Sequence, residues 1–184
     1  MGNVACLETE ARDKTFAAEV KERGGVNFDR CYQCLTCTLG CPFCFAMDFS
    51  PNQVLRMVQL GLKDKVLQSS AIWFCASCQA CATRCPHDVD IPLMMDVLRQ
   101  MALEAGVQNR EIAIPLLHRT FLGSIEQWGR QYELGTLLKL KLKTGDFFSD
   151  LGLGLKMLLK GKLALLPPKK TGGIGQIRAI FGKR

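Results

Sequence analysis

Cys31-Tyr-Gln-Cys34-Leu-Thr-Cys37-Thr-Leu-Gly-Cys41-Pro42 recurs as Cys75-Ala-Ser-Cys78-Gln-Ala-Cys81-Ala-Thr-Arg-Cys85-Pro86. Each copy spaces three cysteines by two residues and adds a fourth, followed by proline, after three more. That run is the spacing with which thiolates ligate two iron–sulfur clusters. Three thiolates so placed wrap three corners of a cubane, but the chain then turns away, and the fourth corner must come from elsewhere. In two-cluster proteins the fourth, proline-flanked cysteine serves the other cluster. The expected ligands are therefore Cys31, Cys34, Cys37 and Cys85 for a first [4Fe-4S] cluster, and Cys75, Cys78, Cys81 and Cys41 for a second. Because metal binding is coupled to folding, losing either cluster should loosen both sites.

Two blander readings fit the cysteines less well. Zinc knuckles pair CxxC units to reach four sulfurs, which leaves the third and fourth cysteine of each copy unused. A disulfide scaffold needs an oxidising compartment, and the N-terminus shows no charged-then-apolar signal segment, so a cytoplasmic location is expected.

With 184 residues, 48% of them apolar and 22% charged, the chain suits one compact domain with an appendage. Its longest charge-free run, Val66 to Thr83, contains Gln68, Ser69, Ser70, Ser77, Gln79 and three motif cysteines, and so does not read as a membrane span. Charge is uneven. Residues 136–184 carry eleven Lys or Arg against Asp146 and Asp150, whereas residues 1–135 carry thirteen against fifteen Asp or Glu. The last quarter is thus a basic appendage on a near-neutral body. Each all-cysteine cubane would add a formal charge of about −2 to that body when oxidised.

Around the motifs the pattern is helical. Residues 8–23 suggest a short helix anchored by Phe16 and Val20 and stopped at Gly24-Gly25, serving as a lid, a partner contact or a plain solvated helix. Gly40 is expected to let the backbone approach the inorganic core. Cys44 imitates the motif spacing after Cys41, but Pro42 favours Cys41 as the ligand, and Cys6 and Cys44 read as ordinary reduced cysteines. Ser50-Pro51-Asn52-Gln53 is a helix start, with Ser50 as N-cap and Gln53 completing a capping box. Val54, Leu55, Met57, Val58 and Leu60 continue that helix to Gly61. Asp90 caps another, with Pro92 in its first turn and Met94, Met95, Leu98 and Met101 at helical spacing up to Gly106. The methionines read as core filling. His87 could donate a hydrogen bond to cluster sulfur, but an ordinary surface or packing role is favoured.

Residues 109–142 suggest further helices with Ile112, Leu116, Leu117, Phe121, Ile125 and Trp128 as apolar positions and Pro115 as a kink or boundary. The Leu-, Gly- and Lys-rich tail beyond Gly145 has apolar residues without an evident intramolecular partner. Docking on another protein is the favoured reading, a peripheral contact with an anionic membrane the second, and nucleic acid the least favoured because stacking aromatics are sparse. The segments expected are 1–25, an N-terminal helix; 26–108, the two-cluster domain; 109–145, a helical extension; and 146–184, a basic partner-docking tail.

The doubled cysteine motif, together with the stretches Met47–Leu67, Ile72–Pro92 and Phe147–Lys162, resembles the C subunits of the heterodisulfide reductase family. The resemblance implies an all-α protein, an α-helical ferredoxin domain holding two [4Fe-4S] clusters, in contrast to the small strand-rich ferredoxins. It also implies a non-catalytic electron-transfer protein working between two heterodisulfide reductase partners, an A-type flavoprotein that also bears iron–sulfur clusters and a B-type cysteine-rich protein that reduces disulfides. Only the eight ligand cysteines carry over residue by residue. No catalytic residue and no dinucleotide fingerprint is evident. The alternative is an iron–sulfur component of a membrane-associated respiratory dehydrogenase passing electrons to quinone, similar to the C subunit of anaerobic glycerol-3-phosphate dehydrogenase, although that family carries a further cysteine-rich domain.

Overall fold

The computed structural model describes residues 12–107, 113–145, 151–162 and 166–182, and among them the regular structure is helical, with no strand. The chain divides into two compact units, Met1–Glu111 and Ile112–Arg184. The all-α expectation holds. Cys6 and Ile112 lie outside the described residues.

In the first unit, α1 (Phe16–Gly24), α2 (Thr36–Leu39), α3 (Pro51–Gln59), α4 (Lys63–Leu67), α5 (Ala71–Phe74), α6 (Ala80–Thr83) and α7 (Ile91–Glu104) follow in order. The two motif loops each end in a four-residue helix, α2 or α6, and these two helices pack on each other. The longer helices α3 and α7 supply the core beneath them. α3 starts as its sequence predicts: Ser50 caps it, Pro51 fills N1, and Ser50 N–H donates to Gln53 Oε1 at 2.9 Å. At its far end Gly61 takes φ +74°, and a Cβ there would stand 2.5 Å from the Asp13 carbonyl oxygen. Asp13 N–H donates to Gly61 O at 2.9 Å. The glycine therefore both ends the helix and admits the incoming chain.

α7 is capped by Asp90, which accepts from Leu93 N–H at 3.0 Å. Its Met94, Met95, Leu98 and Met101 are buried, the core role expected of them. Fully burying a side chain of this size contributes about 1.5–3 kcal/mol. Among the described residues the N-terminal helix begins at Phe16, and residues 8–11 of the expected helix lie outside them. α1 packs on α7 and α3, and its two anchors, Phe16 and Val20, are fully buried.

The second unit holds α8 (Ala113–Trp128), α9 (Glu133–Thr144), α10 (Leu151–Leu159) and α11 (Ile174–Phe181). α8 packs on α9 and on α11. Its fully buried residues are polar, Thr120 and Ser124, while of the predicted apolar positions Leu116, Ile125 and Trp128 are half-buried and Leu117 and Phe121 exposed. The reason is close approach with local satisfaction of the hydroxyls. Thr120 Oγ1 donates to the Leu116 carbonyl at 2.7 Å, and Ser124 Oγ accepts from Tyr132 N–H at 2.8 Å. Pro115 lies in the first described turn of α8 and does not interrupt it. Leu138 and Leu142 of α9, Leu153 and Leu159 of α10 and Ile180 of α11 face outward. Among the described residues no helix is long and apolar enough to cross a membrane.

Candidate iron–sulfur centre

The two motif loops follow one backbone path. The residues two and four places after the first cysteine adopt left-handed conformations in both: Gln33 at φ 62° and Leu35 at 66°, Ser77 at 49° and Gln79 at 63°. None is glycine, and such a conformation costs an ordinary residue about 1–2 kcal/mol. Strain repeated at matching positions marks a functional wrap rather than a defect. Each loop then enters its short helix with the third cysteine inside it, Cys37 in α2 and Cys81 in α6. The helix turn is closed behind the fourth: Cys41 N–H donates to Thr38 O at 3.2 Å and Cys85 N–H to Ala82 O at 3.1 Å.

Two recesses open between these loops. One, of about 310 Å³ with its mouth included, is lined by Cys31, Cys34, Cys37 and Cys85 together with Gln33, Asn52 and Leu55. The other, of about 380 Å³, is lined by Cys75, Cys78, Cys81 and Cys41 with Phe43, Met47 and Met95. Ile91, the first residue of α7, lines both and is their common wall. Among the described residues, no three His, Cys, Asp or Glu side chains converge as they would on a single ion. A cubane asks for something else, one thiolate at each of four separated corners, and a recess ringed by four thiols fits it. Backbone donors already face the sulfurs: Gln33 N–H to Cys31 Sγ at 3.4 Å and Val89 N–H to Cys85 Sγ at 3.3 Å. The donor set therefore fits iron–sulfur clusters.

The thiols sit in unequal surroundings. Cys34 and Cys78 are exposed and the other motif cysteines half-buried. The Thr36 hydroxyl, then the Thr36 N–H, hold the Cys34 thiol below its ordinary value. Burial pushes Cys37 up. Burial also raises Cys75, against the Ser77 N–H and the positive charge of Arg99. Cys81 is pushed up to about 11, by burial first and by neighbouring Cys75 second. Ligation requires thiolates, so iron uptake at the raised thiols releases protons.

Supports not evident from the sequence come from outside the motifs. Arg99 of α7 donates to the carbonyls of Ile72 and Cys75 and to Asp96 Oδ1 at 2.6 Å, fixing the start of the second loop. Asp48 holds the helix before that loop, accepting from Ser69 Oγ at 2.7 Å, Ser70 N–H at 2.9 Å and Ala71 N–H at 3.0 Å. Burial alone would raise the Asp48 carboxyl, but those donors together hold it below the usual carboxylate range. An Asp ahead of a Ser-Ser pair was the available signal, but the two are separated by a whole helix pair in sequence.

Gly40 has φ −92°, and a Cβ there would meet the Arg84 guanidinium at 2.8 Å, so its smallness accommodates Arg84. His87 packs edge-on against Tyr32, ring centroids 4.7 Å apart at 86°, tying the second loop to the first. Cys44 lies in a 3-10 turn (Cys44–Ala46), with its N–H donating to Cys41 O at 3.4 Å, and lines neither recess.

A family model described as a 4Fe-4S dicluster domain matches residues 27–89, which span both loops. Among curated relatives, the C subunit of the H(2):CoB-CoM heterodisulfide,ferredoxin reductase of Methanothermobacter thermautotrophicus is 36% identical over 94 residues, covering 51% of each chain. The second iron-sulfur C subunit of the CoB--CoM heterodisulfide reductase of Methanocaldococcus jannaschii is 38% identical over 111 residues, covering 56% of this chain and 59% of the relative. An Archaeoglobus profundus protein described as like the heterodisulfide reductase C subunit is 29% identical over 123 residues, covering 66% and 62%. The chain thus spans roughly half to three-fifths of the curated relatives it matches. Residues 27–89 match the model of a 4Fe-4S dicluster domain, and the chain that carries them is similar to the C subunits of heterodisulfide reductases.

Proposed function

We propose that this chain is the iron–sulfur electron-transfer component of a heterodisulfide-reductase-like complex, relaying electrons between a flavin- and cluster-bearing partner and a cysteine-rich partner that reduces a disulfide. The observation that carries the proposal is the pair of recesses, each ringed by four cysteines and separated by Ile91. Two [4Fe-4S] clusters, one ligated by Cys31, Cys34, Cys37 and Cys85 and one by Cys75, Cys78, Cys81 and Cys41, supply one-electron redox chemistry there. The chain's own part is to hold eight thiolates, keep most of them from bulk water, and set the two sites side by side. With its motif cysteines committed to clusters and no dinucleotide fingerprint in the sequence, the chain is expected to leave substrate chemistry to a partner.

The second unit supports the assembly half of the proposal. From Leu134 to Gly182 the sequence carries Lys139, Lys141, Lys143, Lys156, Lys160, Lys162, Lys169, Lys170 and Arg178 against Asp146 and Asp150. Outward leucines lie among these cations, a combination that suits a surface of opposite charge on another protein.

Anaerobic purification of the complex through a tag on this chain is the test. Recovery of a flavoprotein and a cysteine-rich protein, with electrons passing from the first through this chain, is the expected result. A membrane cytochrome or a quinone-linked dehydrogenase in their place would overturn it, as would steady disulfide reduction by the isolated chain.

A further inference from the structure

The two loops differ at the residue two places after the first cysteine, Gln33 in one and Ser77 in the other. At that left-handed position Gln33 approaches Cys31 twice: its backbone N–H lies 3.4 Å from the sulfur and its side-chain Nε2 3.6 Å. What orients the side-chain amide is a series of hydrogen bonds with a single consistent direction. Asn52 backbone N–H donates to Thr38 Oγ1 at 3.3 Å, so the Thr38 hydroxyl proton is left for Asn52 Oδ1, 2.6 Å away. An amide with its oxygen so engaged turns its NH2 outward, and Asn52 Nδ2 donates to Gln33 Oε1 at 3.1 Å. Gln33 then has only its NH2 to present to Cys31. Asn52 itself is fixed in the first turn of α3, beside Pro51 and within the capping box.

Ser77 shares only the backbone half of this, its N–H acting on the Cys75 sulfur. Its hydroxyl donates to Asp96 Oδ1 at 3.3 Å and lies 3.5 Å from Arg99 Nη1, toward α7 and away from the sulfur. The amide relay belongs to the first recess.

We infer that Gln33 donates a side-chain hydrogen bond to the Cys31 sulfur that raises the reduction potential of the cluster in the first recess, and that Asn52 is the positioning residue that aims it. Reduction makes the ligand sulfurs more negative, and a donor stabilises the more negative state more strongly. This rests on the electron-carrying reading above, since a site without a cluster has no potential to tune.

The test is a redox titration of the full chain, reconstituted anaerobically, with the two clusters followed by electron paramagnetic resonance. The signal that Cys31→Ser perturbs identifies the first recess. Gln33→Met keeps the length of the side chain and removes its donors. It should make that cluster about tenfold harder to reduce, about 59 mV for one electron, and leave the other unmoved. Asn52→Leu should shift the same cluster in the same direction by less. The double variant should shift it no further than Gln33→Met alone, because Asn52 acts through Gln33. If Gln33→Met loses iron, Asn52→Leu carries the test, since it changes no residue of the motif loop. Unmoved midpoints in variants with a full complement of iron overturn the inference while leaving the relay in place. A wild-type chain that takes up no iron overturns both.

Discussion

Between Cys31 and Cys41 and between Cys75 and Cys85 the backbone repeats, with the same left-handed pair and the same short helix. The surroundings do not repeat. The first loop leans on α3 through a hydrogen bond from Asn52 to Gln33; the second is clamped by a cation from α7, Arg99, and walled by Phe43, Met47 and Met95. After Cys85, Asp88 also turns left-handed at φ 53°, whereas the matching position after Cys41 is Cys44 in a 3-10 turn. The path of each loop thus follows from where its cysteines stand, and the character of each site from helices outside the repeat. That division allows two clusters of one type to differ in potential and stability.

The largest expected effect tests what the loops share. Four left-handed residues are sustained by something, and thiolate–iron bonds are the candidate. Stripping iron with a chelator should expose the segments 31–41 and 75–85 to proteolysis before any other part of the first unit. Unchanged cleavage would show that the wrap holds itself.

The next tests what they do not share. Arg99→Met removes donors to Ile72 O, Cys75 O and Asp96, a loss of about 2–3 kcal/mol for hydrogen bonds from a charged group. The second cluster should bleach faster under chelation and the first should not. Equal loss of both would erase the distinction between the sites.

Asp48→Asn should act through α5 on the same second loop, more weakly, costing about 1–2 kcal/mol. Because the Asp48 carboxyl is held below its ordinary value, its contribution is present above the usual carboxylate range and is lost as pH falls through the depressed value. Acid titration of stability should therefore lose part of its slope in the variant. An unchanged acid limb would remove Asp48 from the second loop's support.

Gly40→Ala should do least. Its neighbour is the end of a flexible arginine and its φ is ordinary, so a cost under about 1 kcal/mol and full retention of iron are expected by thermal melting and iron assay. Loss of a cluster would support the reading in which Gly40 lets the backbone close on the inorganic core.

The cysteine pattern, the Ser50 capping box, the Asp90 cap and the methionine stripe were legible because each is a local rule with a short reach in sequence. Arg99, Asp48 and Asn52 were not. Each acts across 14 or more residues, Asn52 on Thr38, Asp48 on Ser70 and Arg99 on Cys75, and nothing in a single sequence marks such a pairing. The α8 anchors misled for a different reason. Apolar periodicity pointed to Leu117 and Phe121, while the buried positions went to Thr120 and Ser124, whose hydroxyls bond to nearby backbone groups and which are small enough for close helix packing.

The crossed assignment of the fourth cysteines is tested most directly by counting clusters in Cys85→Ser and Cys41→Ser chains. Iron and sulfide analysis with electron paramagnetic resonance should show Cys85→Ser damaging the cluster held by Cys31, Cys34 and Cys37, and Cys41→Ser the one held by Cys75, Cys78 and Cys81. If each substitution instead damages the cluster of its own repeat, the fourth cysteines are not exchanged and the two recesses have been given the wrong ligands.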